Sequence, residues 1–508
     1  MRQSRLLPLI IATALFMENT DSTVIATSLP MIAQSLGEDP IALKLALTSY
    51  LVSLAIFIPI SGWMADRFGA RTIFRAALGV FMVGSLACAA ANSLPGFVMA
   101  RFLQGMGGAM MVPVGRLVIL RSVPRNEIVS ALATLTVPAL IGPVIGPPLG
   151  GFITTYFDWR WIFFINIPIG LVGIVLATLY VPNIKEENTP PLDWLGFILS
   201  GIGLALLMLG FASGGRHLIP VEVSAACVVI GAAALAAYYF HAKRTPHPVI
   251  QLKLFRIPTF TISILGGSLF RVGIGAIPFL LPLMLQIGFG LSPVQSGSLT
   301  FIAAVGALFS KTSAKKVLEY MGFRALLTVN AVIGAAFVAA NGFFTPSTPY
   351  WLIMSFLFVG GWFRSLQFTS INAIAYADVS NRDMSYATSL SGAVQQLSLS
   401  IGVALGAFAL ETAAAYHGDP GLAARDFGPA FITVAVVSSL SALLFSRLDP
   451  RAGAELSGHR NVKRQPPSTG LGDGMEGSAG RTMSTAQSGK ATPMDRGDAD
   501  GPEDHRPV

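Results

Sequence analysis

The chain has 508 residues, 53% hydrophobic and only 12% charged, with mean hydropathy +0.64. A soluble domain carries about 25% charged residues, so a soluble multidomain enzyme is excluded, and the wealth of large apolar residues excludes disorder for most of the length. The net charge is +8, and because the stretch from residue 451 onward carries 8 basic and 8 acidic residues, the whole excess lies before it.

Crossing a bilayer takes about 20 mostly apolar residues. That window predicts fourteen spans, near 7–29, 44–64, 73–92, 96–119, 130–153, 161–181, 193–213, 220–240, 260–286, 295–312, 325–341, 350–374, 390–412 and 428–446. The first is expected to stay in the protein. It is too long for a cleaved signal, carries Glu18 and Asp21 in its apolar run, and has no small-residue cleavage site before the next span.

Lys and Arg concentrate in alternate connections: Arg2 and Arg5; Arg67, Arg71 and Arg75; Arg121 and Arg125; Lys243, Arg244, Lys253 and Arg256; Lys311, Lys315, Lys316 and Arg324. The other connections hold little beyond Lys44, Arg160, Arg216 and Arg425. By the positive-inside rule both termini are cytoplasmic, which an even number of spans satisfies. Charges scattered through short loops, with no single basic face, exclude nucleic acid as the partner. Cys88 and Cys227 lie inside apolar runs and imply neither disulfide framework nor metal site.

Two loops repeat a pattern. Gly62-Trp-Met-Ala-Asp66-Arg-Phe-Gly69-Ala-Arg71 follows the second span, and Lys315-Lys-Val-Leu-Glu319-Tyr-Met-Gly322-Phe-Arg324 follows the tenth. Both place an acid, a glycine three later and an arginine two after that. At nearly the same offset Arg101-Phe102-Leu103 aligns with Ser355-Phe356-Leu357 and Gly107 with Gly361. The predicted fold is an all-α polytopic membrane protein with an N-terminal six-helix bundle (1–182), an inserted helix pair with linkers (183–250), a C-terminal six-helix bundle (251–448) and a disordered cytoplasmic tail (449–508). Repeated halves around a midplane site are the plan of secondary transporters.

Charges deep in spans are costly and face a cavity or a partner. Glu18 and Asp21, three residues apart, share one helix face. Arg101 lies in an apolar segment beside Gly105, Gly107 and Gly108. Asp21 lies nine residues before Pro30 and Arg101 six after Pro95, both near the same membrane face. At about 1.5 Å per residue their depths differ by roughly one helical turn, which a long Arg side chain spans. Asp66 is expected to cap a helix or to pair with Arg67 or Arg71. Gly142, Gly146 and Gly150 form one small face for close helix contact, and Pro143, Pro147 and Pro148 bend that helix. Arg271 and Arg364 are deep charges for which binding and packing stand equal, and Gln104 is placed with them as a candidate cavity residue. Arg116 and Glu411 are expected to be interfacial and structural.

These segments resemble a known family. Gly62–Arg71 is similar to the G-x-L-A-D-R-x-G-x-R loop of the major facilitator superfamily, and Arg101–Ala109 to its R-x-x-Q-G-x-G-x-A motif. Gly142–Gly151 is similar to the G-P-x-x-G-P-x-x-G-G antiporter motif, and Asp21–Pro30 to the D-x-T-V-x-x-x-x-L-P motif of the fourteen-span drug/proton antiporters (EmrB/QacA type). Trp159–Pro168 also resembles that subfamily's entry into span six. The resemblance implies a proton-coupled exporter of small amphipathic compounds in the inner (plasma) membrane, not an enzyme and without cofactor or metal. It implies coupling by Asp21, with Glu18 as second candidate, proton translocation involving Arg101, a gating loop of Gly62, Asp66, Arg67, Gly69 and Arg71, and an antiporter motif of Gly142, Pro143, Gly146, Pro147, Gly150 and Gly151. Its partners are the substrate, protons and the bilayer, with a periplasmic adaptor protein left open. A narrow-specificity metabolite exporter, and a receptor or assembly protein that has lost transport, remain as alternatives.

Overall fold

The structure is a computed structural model. It describes residues 2–122, 128–186, 189–213, 220–246, 248–380, 383–418 and 422–454. Arg125, Arg216 and the expected tail from residue 455 lie outside the described residues.

The first half runs α1 (Arg2–Leu36), α2 (Lys44–Phe68), α3 (Ala70–Ala90), α4 (Leu94–Ser122), α5 (Ile128–Tyr156), α6 (Trp161–Phe164) and α7 (Asn166–Tyr180). Then come α8 (Trp194–Ser213) and α9 (Val221–Arg244), followed by α10 (Pro258–Leu283), α11 (Pro293–Ala340), α12 (Tyr350–Ala375), α13 (Met384–His417), α14 (Ala424–Ser439) and α15 (Ser441–Phe445). Among the described residues, twelve stretches are long and apolar enough to cross a membrane. The 29 residues of α5 and 26 of α12 are also long enough. α6 with α7, and α14 with α15, each make one crossing. α11 makes two, because Gly322 breaks it with φ 70°. That is fourteen crossings. Gly69 between α2 and α3 has φ 96°, so the glycine shared by the two repeated loops is in both a residue whose backbone disfavours any side chain.

Helices α1 to α7 pack on one another, α10 to α15 do the same, and the α8–α9 pair docks through α8 onto α2 and α13. The two bundles meet where α2 faces α13 and α5 faces α11. With lipid outside as apolar as the packed side chains, helices associate through close contact and polar links, and glycines set that closeness. A Cβ at Gly142 would meet Thr20 at 3.0 Å, and Cβ atoms at Gly146 and Gly150 would strike Thr23, Thr27 and Val24, so three glycines of α5 seat α1. The opposite side of the same segment seats the other bundle: Gly151 abuts Pro293, and Gly297 abuts Pro147. Gly105 and Gly108 bring α4 against α2 at Tyr50, and Gly84 brings α3 against Gln104.

The bundles are closed together at the face opposite the N-terminus, hereafter the far face. There Lys44 Nζ, at the start of α2, donates to Glu411 Oε1 of α13 at 2.8 Å, with Lys44 fully buried and Glu411 nearly so. Gln286 Nε2, just past α10, donates to the Thr27 carbonyl of α1 at 2.8 Å. Two expectations are corrected. Lys44 is a buried cation inside the fold, since it opens α2 between the bundles, and Glu411 is its partner and not interfacial. The chain also stays packed beyond residue 449: Leu448 is buried and Ala452 packs against the same cluster.

Gly146→Leu should destabilise by about 1–3 kcal/mol, the range for overpacking, whereas Gly62→Ala, which meets nothing within 4 Å, should be neutral; thermal unfolding in detergent compares them. Lys44→Met should cost about 3–5 kcal/mol by stranding Glu411, and Lys44→Met/Glu411→Leu should recover most of it. A double variant as unstable as the single would contradict the pairing.

Candidate functional site

Asp21 lies in the middle of α1 with 3% of its surface exposed. Most nearby hydroxyls are satisfied along the helix itself, Thr23 donating to the Asn19 carbonyl at 2.8 Å and Ser28 to that of Val24 at 3.2 Å, so a polar stretch can pass through the bundle; the Thr20 hydroxyl is buried without a partner. The Asp21 carboxylate collects three donors from two other helices. Arg101 Nη1 of α4 reaches Oδ2 at 2.8 Å. Gln104 Nε2 of α4 and Asn166 Nδ2 of α7 both reach Oδ1 at 2.8 Å. The two amides also donate to Ser85 Oγ of α3, at 2.9 and 3.2 Å, and Arg101 Nη1 donates to Gln104 Oε1. Arg101 and Gln104, three residues apart, present one face of α4.

The Arg101 guanidinium lies 4.3 Å from the centroid of the Tyr50 ring, a cation–π contact with its other face. Arg101 is 1% exposed, and its Nε has no hydrogen-bond partner. Every group facing Asp21 is a donor, so the cluster is complementary to an ionised carboxylate. A proton on Asp21 would bring a fourth donor among donors.

Glu18, one turn from Asp21, does not join this cluster. Its Oε2 is buried without a hydrogen-bond partner. Gln104 is fully buried within the cluster and braces Asp21. Sequence reasoning missed Ser85, Tyr50 and the role of Asn166. Only Asn166 carried a signal, as the polar residue of the Trp159–Pro168 segment; Ser85 and Tyr50 are single polar residues in apolar runs.

The α2–α3 loop is held differently from expectation. Asp66 pairs with Arg121 of α4 at 2.7 Å, and Arg121 also reaches Glu186 at 3.2 Å. Arg67 is exposed and Arg71 half-buried, and among the described residues neither forms an ion pair. Consecutive helical residues point apart, which removes Arg67 as a partner. The segment after α7 lies along the loop: Ala70 N–H donates to the Ile184 carbonyl at 2.8 Å, and Glu186 N–H to that of Asp66 at 3.0 Å. A side chain at Gly69 would collide with Asn183.

In the other bundle Arg271 of α10 is 1% exposed and donates to Asn372 Oδ1 at 2.9 Å. Arg364 of α12 lines a narrow apolar cavity with Phe270, Ile274 and Phe337. Neither touches the Asp21 cluster among the described contacts.

Residues 11–403 and 263–481 match the Major Facilitator Superfamily profile. The chain is 37% identical over 443 residues to the putative multidrug resistance protein MdtD of Escherichia coli (strain K12), covering 86% of this chain and 93% of that protein. The same figures hold for MdtD of Shigella boydii serotype 18 (strain CDC 3083-94 / BS512). Among solved structures, the fold is similar to a D-xylose–proton symporter (TM-score 0.61, 15% identity, 88% of this chain and 98% of that chain). An auto-inhibited POT family peptide transporter is similar too (TM-score 0.61, 17% identity, 91% and 99%). The four motifs, the fourteen crossings in paired bundles and these likenesses agree, and the chain is a multi-pass membrane protein of the Major Facilitator Superfamily.

Proposed function

We propose that this protein is a proton-coupled exporter of small amphipathic compounds, set in the inner membrane with its termini cytoplasmic. The observation that carries the reading is the carboxylate of Asp21, buried at mid-bundle among donors from α4 and α7, whose two amides Ser85 of α3 holds in place. A buried charge kept at such cost points to a functional site. The name of the MdtD relatives, a putative multidrug resistance protein, supports export of drug-like compounds. The Lys/Arg-rich connections, all on the face of the N-terminus, support the orientation.

Coupling would run through the ion pair. Protonation of Asp21 removes the charge that holds Arg101 and puts a donor where a donor already points. Arg101 must then move, and α1 and α4 move with it. α1 is also the helix seated on Gly142, Gly146 and Gly150, and the far side of that α5 segment seats α11. A shift at Asp21 therefore has a packed route to the seam between the bundles. Alternating access is a change of population between arrangements of that seam. Here the far face is closed, and the Lys44–Glu411 pair must part for it to open.

Inverted membrane vesicles energised with a pH gradient, and given a panel of fluorescent dyes, test the reading. The parent protein should accumulate some dyes, and Asp21→Asn at equal membrane abundance should fall to the level of empty vesicles. Gradient-driven uptake that survives in Asp21→Asn would overturn Asp21 as the coupling group and turn attention to Glu18. Asp66→Asn, which loosens only the exposed contact with Arg121, should lower the rate of uptake and keep its dependence on the gradient.

A further inference from the structure

Among the described buried charged residues, Asp21 and Arg101 neutralise one another, Lys44 and Glu411 do the same, and Asp426 receives His417 Nδ1 at 2.6 Å. Arg271 is the exception. Its one hydrogen bond is to the neutral Asn372, and its Nε and Nη1 are buried with no partner. Its guanidinium lies 5.5 Å from the Phe368 ring. An ionised group without a counter-charge in an apolar interior costs far more than one neutral hydrogen bond returns.

Two further cations gather on the same stretch of α12. Arg364 is four residues before Phe368 and so shares its helix face, and it lines the apolar cavity with Phe270, Ile274, Phe337 and Gly361. Lys311 of α11 donates to the hydroxyl of Thr369, the residue after Phe368. Among the described residues none of the three cations has a carboxylate within 4.0 Å. Lys311 is exposed, but Arg271, buried, and Arg364, half-buried in the wall of an apolar cavity, have no negative charge to answer them among the described residues.

We propose that the missing charge is the substrate's: the C-terminal bundle binds an amphipathic organic carboxylate. Arg364, in the cavity wall, holds the carboxylate, and Arg271 adds positive charge from beside Phe368; the cavity is about 30 Å³ in the arrangement seen here, room for about one water, and takes the apolar body by widening as the helices shift. Guanidinium groups suit this task because their planar donors match a carboxylate's two oxygens. The inference rests on the exporter reading and names the class of compound exported. It also divides the labour of the two bundles, protons being handled at Asp21 and the anionic substrate at Arg364.

The test compares 2-naphthoate with its uncharged match, 2-naphthamide, on purified full-length protein in detergent at neutral pH. Naphthoate should raise the thermal unfolding midpoint saturably, and naphthamide should not. Arg364→Gln should weaken the apparent naphthoate affinity about ten- to a hundredfold, the effect of losing a hydrogen bond to a charged group, and Arg364→Lys, which keeps the charge and loses the two-donor fork, should recover only part of it. Arg271→Gln, measured in parallel, gives the same reading should Arg364→Gln fail to fold. Equal protection by both compounds, no protection by either, or full naphthoate affinity in the glutamine variants overturns the proposal. Dye transport in vesicles separates it from the parent reading. Asp21-dependent, gradient-driven uptake indifferent to naphthoate overturns the anion site and leaves the exporter standing. Naphthoate protection of a protein that moves no dye under a gradient overturns the exporter and leaves the anion site.

Discussion

A carboxylate in the middle of an apolar bundle is stable only while something positive stays beside it. Asp21 meets that constraint with Arg101 at 2.8 Å and two amides at the same distance, and the rest of the N-terminal bundle is arranged to deliver those groups. Glycines 105 and 108 bring α4 onto α2, where the Tyr50 ring meets the Arg101 guanidinium, and Gly84 brings α3 onto Gln104. Asn166 reaches Asp21 because it begins α7, immediately after the short α6 turn. Burial makes each of these polar contacts stronger and each broken one more costly. The cluster as it stands is complete around a carboxylate that accepts three hydrogen bonds.

Mechanical consequence comes from what α1 touches on its other side. Thr20, Thr23 and Thr27 lie in the path of any side chain at Gly142, Gly146 or Gly150, and Pro147 and Gly151 of the same α5 segment lie against α11. The Gly142–Gly151 segment is thus a thin spacer between the helix that holds Asp21 and the opposite bundle. Packed interfaces of this kind switch between discrete arrangements more readily than they bend. The far-face contacts, Lys44 with Glu411 and Gln286 with Thr27, belong to the arrangement seen here.

Much of this was legible in the sequence, for identifiable reasons. Span number and pairing came from apolar run lengths and alternating charge, which the bilayer imposes directly. The nearness of Asp21 and Arg101 followed from helical rise counted from two prolines, because depth in a bundle is a one-dimensional quantity. What failed was what depends on rotation about helix axes and on long-range closure. Asp66 passed over Arg67 and Arg71 for Arg121, 55 residues away. Lys44 looked like a loop charge because it sits at a span's first residue, and its partner is 367 residues away. Ser85 joined the cluster through the α3–α4 contact at Gly84, which no local pattern announces.

As the coupling group, Asp21 would exchange its proton as the substrate binds and leaves. The most direct measurement is proton release from purified protein in weakly buffered detergent solution, followed with a pH indicator as a transported dye is added. The parent protein should release protons in proportion to dye bound, and Asp21→Asn should bind dye while releasing none. Equal release from Asp21→Asn would contradict the account.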